Sequence, residues 1–194
     1  HTGIAYEGMY IGFRWIYDPD YLDSNHCVSV ELDCSRDRKH WTRVGTGQPF
    51  MAKNPRRDTW DCDMAKVTSL LVMGDEIWIY YAAHTGFMSA SQAHTGLAKL
   101  RLDGFASING GQTPGTLRTR PLCFAGNHLH LNAEVLPGGE IRAGFLSADG
   151  TPVPGLSPED CQPIEGDGLD IQAMWKSGSD ISALSNTDVR IELR

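Results

Sequence analysis

Apolar and polar residues alternate with a period of two along most of this chain, and apolar spacing of the helical kind is nearly absent. Tyr6–Asp18 (YEGMYIGFRWIYD) is dense in aromatic and β-branched residues and runs into Asp18-Pro19-Asp20, which predicts a strand ending in a turn. Cys27–Leu32 (CVSVEL) predicts a second strand. Leu70–Ala83 predicts a hairpin, with LLVM on one arm, Gly74-Asp75-Glu76 at the turn and IWIYYAA on the other. On that second arm Trp78 and Tyr80 alternate against Ile77, Ile79 and Tyr81, so both faces carry bulk, as suits an inner strand.

Past His94 the segments shorten. Leu97–Leu102, Leu117–Thr119, His128–Glu134, Glu140–Leu146, Leu169–Trp175 and Val189–Leu193 predict strands. Between them lie turn clusters such as Asn109-Gly110-Gly111, Pro137-Gly138-Gly139 and Asp149-Gly150. Ser157–Asp160 and Ser182–Ser185 each offer one helical turn at most. Short strands with turns every ~8–12 residues describe a sandwich or barrel. A weak repeat sets Val30–Trp41 over Gly96–Phe105, with Asp37 and Asp103 66 residues apart. A period holding about four strands is that of one propeller blade, and chance similarity between two hairpins is the alternative. The expected fold is all-β: an incomplete, propeller-like antiparallel sheet over residues 1–94 and a β-sandwich over 95–194, divided near His94–Gly96.

Charge adds an exclusion. The net charge is −7, and Lys and Arg are scattered except at Arg36–Lys39 and Asn54-Pro55-Arg56-Arg57, so neither nucleic acid nor membrane is an expected partner. No apolar run approaches the ~18 residues of a membrane-spanning helix. The chain opens at His1 without an initiator Met, which predicts processing, cleavage or a place within something longer, with secretion or a periplasmic setting left open. Among the five cysteines no C-x-x-C and no zinc-like spacing to His occurs, and an odd count leaves at least one thiol free.

Glu31–Trp41 (ELDCSRDRKHW), Trp60-Asp61 and Met73–Tyr81 (MGDEIWIYY) together resemble blades of the five-bladed β-propeller glycoside hydrolases, the invertase-like and arabinanase-like enzymes. Gly96–Ser107 (GLAKLRLDGFAS), Gly115–Arg120, Leu129–Asn132 and Met174-Trp175 resemble the β-sandwich that follows such a propeller. Only about one and a half blades fit before His94, so the resemblance implies the C-terminal remainder of such a protein. It implies a carbohydrate-active protein that hydrolyses, or once hydrolysed, glycosidic bonds by carboxylate acid/base chemistry. The alternative is a non-catalytic carbohydrate-binding or interaction module. Incomplete blades leave strand edges and aromatic faces to cover, so a second copy or a missing N-terminal region is an expected partner besides carbohydrate.

Hydrolysis needs two carboxyl groups flanking the bond. Glu7, Asp18, Asp58, Asp61 and Asp63 are the candidates, and Asp61 leads because it follows Trp60 as the resemblance requires; a turn or capping carboxylate is the alternative. His84, at the end of IWIYYAAH, is the expected second catalytic group, against an ordinary surface histidine. Trp60, Trp15 and Arg14 are the expected substrate contacts. No metal site is expected: His128 and His130 share a strand face, yet lack a third ligand. No cofactor is expected either, although the oxygen-rich loop of Asp18, Asp20 and Asp23 could take calcium.

Overall fold

Glu7 and Gly8 both take positive φ, +43° and +74°, and this turns the first aromatic run back on itself. What reads as one strand from Tyr6 is therefore a hairpin: β1 (Thr2–Tyr6) pairs antiparallel with β2 (Met9–Asp18), Tyr6 opposite Met9. The computed structural model describes residues 2–18, 27–45, 47–52, 56, 59–85 and 92–194, the side chains of Asp18 and Cys27 excepted. β2 pairs with β3 (Cys27–Ser35) and β3 with β4 (Thr42–Val44), completing one antiparallel meander. β5 (Met64–Met73), β6 (Glu76–Thr85) and β7 (Gln92–Arg101) form a second, whose first turn has Gly74 at φ +62°, as the sequence pattern there predicts. Among the described residues one parallel bridge, Val28 to Met64, joins the two into one sheet.

Both meanders turn an apolar face inward. Ile11, Phe13, Val30 and Leu32 from the first pack with Val67, Ile77 and Ile79 from the second, and all are buried. A register shift between Val67 and Ser69 reconciles the two halves of β5: Val67 lies opposite Tyr81, yet Leu70 lies opposite Ile79. Tyr6 closes the rim, its ring edge-on to Phe105 at 5.0 Å and its hydroxyl donating to Asp103 Oδ1 at 2.5 Å. Burial, with the hydrogen bond to Asp103 and its charge, pushes that phenol up to about 12.

The chain divides into two compact units between Ser107 and Ile108. The expected division near His94–Gly96 falls inside β7 instead. That strand pairs with β6 from Thr85–Gln92 through Glu76–Arg101, so Leu97–Arg101 belongs to the first sheet.

The second unit, described by itself, holds β8 (Leu117–Arg118), β9 (His130–Val135), β10 (Ala143–Ser147), β11 (Gly166–Gln172) and β12 (Val189–Leu193). β10, β12 and β8 make one antiparallel sheet, and β11 and β9 another. Phe145, Ala143, Ala173, Ile164, Val189 and Trp175 form their common core. The Trp175 ring lies 5.7 Å from Phe145, and its indole N–H donates to the Ala143 carbonyl at 3.0 Å, so its polar atom is satisfied in the interior. The fold is all-β; among the described residues the one helical element is a 3-10 turn at Ser182–Leu184. Cys34, Cys123 and Cys161 carry free thiols, and burial pushes that of Cys161 up.

Glu192 is a charge buried in this unit, its side chain 1% exposed. Arg118 donates from Nε at 2.8 Å and also from Nη2, and Arg194 from Nε at 2.8 Å. Burial raises the Glu192 carboxyl, but the two guanidiniums outweigh it and hold it below its ordinary value. A carboxyl lowered on folding adds stability above its unfolded pKa, about 4.3, and loses it as pH falls through the folded value. Glu192→Gln should therefore cost about 2 kcal/mol at pH 7 and progressively less below about pH 4. Urea unfolding followed on the Trp175 indole N–H resonance at pH 7 and pH 3 checks this; an equal loss at both would contradict it.

Candidate functional site

Glycine at position 96 makes room for an aromatic cluster of the first unit. A Cβ there would lie 2.3 Å from Tyr81 Cζ and 2.6 Å from Trp60 Cη2, so the bare backbone of β7 lets both rings lie across it. Trp60 stacks on Tyr81, with centroids 5.8 Å apart and planes at 21°, and meets His94 edge-on at 5.8 Å. One face of the indole is thus taken, yet Trp60 remains 40% exposed. An exposed tryptophan held on two sides gives up little rotamer freedom when a ligand settles on its free face.

Asp61 stands behind this stack. Its Oδ2 accepts a 3.4 Å hydrogen bond from the Tyr81 hydroxyl, while its Oδ1 is buried without a hydrogen-bond partner. Burial, the Asp61 charge and that hydrogen bond push the Tyr81 phenol above its ordinary value. An unpaired buried acceptor costs roughly 1–3 kcal/mol, so Asp61 is held where it is by its neighbours rather than by its own solvation.

Trp60 and Asp61 both touch Tyr81, and neither His84, Trp15 nor Arg14 joins them by a described contact. Strand alternation gives the reason for His84. Tyr81 and Ala83 share one face of β6 with Gly96 and His94 opposite them, whereas His84 points to the other face. His94, two residues from Gly96, takes the place expected of His84. Arg14 and Trp15 are adjacent on β2 and so face opposite ways. Arg14 is engaged by the fully buried Asp33, from Nε at 3.0 Å and Nη2 at 2.7 Å, beside a second pair, Arg43 on Glu31. Trp15 is 41% exposed, with Lys66 Nζ 5.0 Å from its ring centroid.

Of the other carboxylates, Glu7 occupies the β1–β2 turn, and Asp63 is buried, with its backbone N–H donating to the His84 carbonyl at 3.3 Å. Asp58, the side chain of Asp18, and Asp20 and Asp23 of the calcium-capable loop lie outside the described residues. In the second unit His128 and His130 meet edge-on at 6.2 Å, but Nδ1 of His130 pairs with Asp170 at 2.7 Å and Nδ1 of His128 faces Gln172 at 3.0 Å. Among the described residues no group of three or more His, Cys, Asp or Glu side chains could hold a metal ion.

Sequence reasoning missed Tyr81 and His94. Tyr81 sits in a run of aromatics that reads as core throughout, and His94 reads as a boundary. The available signal was parity: Tyr81 and Ala83 share a face that His84 does not. Comparison with family models, with curated proteins and with solved structures finds no match to this chain. The functional reading therefore rests on the residues themselves.

Gly96→Ala should push the Tyr81 and Trp60 rings apart, since neither ring can stay 2.3–2.6 Å from a carbon. The expected loss is about 1–3 kcal/mol on urea denaturation, together with a displaced Trp60 indole resonance. An unshifted indole signal would mean that the stack does not rest on this glycine.

Proposed function

We propose that this is a carbohydrate-active protein whose first unit docks a saccharide ring on Trp60. The observation that carries the reading is the half-exposed indole fixed between Tyr81 and His94. A pyranose offers an apolar C–H face that lies flat on such a ring, and its hydroxyls need polar groups at the ring's margin. The likeness of Glu31–Trp41, Trp60-Asp61 and Met73–Tyr81 to propeller glycoside hydrolase blades supports the same ligand class. Within this reading Asp61 is a positioning residue that holds Tyr81, and through it Trp60.

Docking is favoured over turnover. A glycosidase needs one carboxyl to protonate the leaving oxygen and a second across the bond, ~5–9.5 Å away. The hydrogen bond that Asp61 makes goes to a phenol rather than toward an open cleft, and its other oxygen is buried.

A glycan array with a parallel chromogenic-glycoside screen separates binding from hydrolysis. Binding to neutral oligosaccharides without turnover is the expected result. Trp60→Ala should weaken the best array ligand by at least about tenfold, or about 1.4 kcal/mol, with far-UV circular dichroism unchanged. Asp61→Asn, nearly isosteric, should weaken it less, because it loosens the stack without removing the ring. Turnover abolished by Asp61→Asn would overturn the docking reading and establish the hydrolytic one. No glycan bound by the wild-type protein would remove both.

A further inference from the structure

The outward face of β1 and β2 carries a groove of about 340 Å³ lined by Gly3, Ala5, Tyr10, Arg38 and Trp41, none of which belongs to the Trp60 cluster. Gly3 and Ala5 lie opposite Gly12 and Tyr10, so small residues make the floor and one ring a wall. The other wall comes from the turn between β3 and β4. There Asp37 Oδ1 accepts the backbone N–H groups of Lys39 and His40, both at 2.8 Å, and the Ser35 hydroxyl at 3.1 Å. Its Oδ2 meets His40 Nδ1 at 2.6 Å. So anchored, the turn carries Arg38 at φ +63°, a conformation in which a glycine would be at ease and an arginine is not.

That backbone sends the Arg38 guanidinium over the Tyr10 ring, 4.5 Å from its centroid, while the Arg38 carbonyl receives the Trp41 indole N–H at 3.0 Å. A guanidinium laid on a ring keeps its N–H edge free to donate in its own plane. Among the described residues no carboxylate pairs with Arg38. Arg36, Arg38, Lys39 and His40 surround one acid, Asp37, whose oxygens are engaged by the turn itself, and this in a chain of net charge −7. The basic run singled out in the sequence therefore serves a groove with an aromatic wall and an open cation.

We infer that this groove binds a carboxylate-bearing saccharide, a uronate ring, with its carboxylate on Arg38 and its C–H face against Trp41. A bidentate guanidinium–carboxylate pair supplies the selectivity for the acid over its neutral counterpart. The site goes beyond the Trp60 platform and shares no residue with it, so either can fail alone.

Isothermal titration of the whole chain with trigalacturonate, its methyl ester and neutral galactotriose tests the inference. The acid should bind at least tenfold more tightly than its ester, and raising the salt from 50 to 500 mM should weaken it severalfold. Arg38→Asn suits the left-handed backbone while removing the guanidinium, and Ala5→Ile fills the floor while keeping a strand-forming residue. Each should lower affinity for the acid at least tenfold with an unchanged melting midpoint, and Trp60→Ala should leave it intact. Equal affinity for acid and ester, an unaffected Arg38→Asn variant, or no binding of trigalacturonate would each overturn it. Loss of acid binding in Trp60→Ala would return the ligand to the other site and also overturn it.

Discussion

Phe13, Val30, Leu32, Val67, Ile77 and Ile79 lose nearly all contact with water where the two meanders of the first unit face one another. Because side chains alternate along a strand, that packing also decides what every intervening residue does. Gly12, Arg14, Glu31 and Asp33 are sent to the opposite face, where the acids are buried under Arg14 and Arg43. A carboxylate as enclosed as Asp33 is tolerable only with such a partner, so the inner apolar face and the outer ionic one are two results of one register.

Both candidate surfaces arise where this order runs out. At one end of β6 and β7 the inner face passes from Ile77 and Ile79 to Tyr81, and Gly96 withholds the side chain that would have closed it. At the edge formed by β1, Gly3 and Ala5 line a groove on the outer face. In each case small residues lie beside a ring whose orientation its neighbours fix. Trp60 is fixed by stacking and Trp41 by a hydrogen bond to a turn that Asp37 holds. Glycine and alanine thus shape both surfaces by leaving space rather than by contact.

Much of the fold is legible in the chain. The period-two patterns give the all-β class, the Gly74 hairpin gives the β5–β6 pair, and the 3-10 turn lies where Ser182–Ser185 suggested. The β1–β2 hairpin is not legible, because Glu7-Gly8 interrupts an apolar alternation that otherwise continues through it. Residues 95–107 misled for the opposite reason: turn-rich spacing marks the end of an element but not which sheet claims it. At the site, Trp60-Asp61 is visible as a pair in the sequence. Its supports at positions 81, 94 and 96 are set by cross-strand register, which no local pattern encodes. The β5 irregularity at Val67–Ser69 shifts that register without any glycine or proline to announce it.

Among the described residues the two meanders share the main-chain bridge Val28–Met64, supplemented by side-chain hydrogen bonds such as Thr2 to the Val67 carbonyl and Tyr6 to Asp103. Within each meander, by contrast, the strands are tied by long ladders of paired residues. The seam and the ladders therefore respond differently to temperature. Hydrogen-bonded ladders are held largely by enthalpy, whereas an apolar seam near room temperature is held by the entropy of released water and weakens on cooling. Cold is thus the condition that loosens this unit along the contact between its halves while each half keeps its own strands paired.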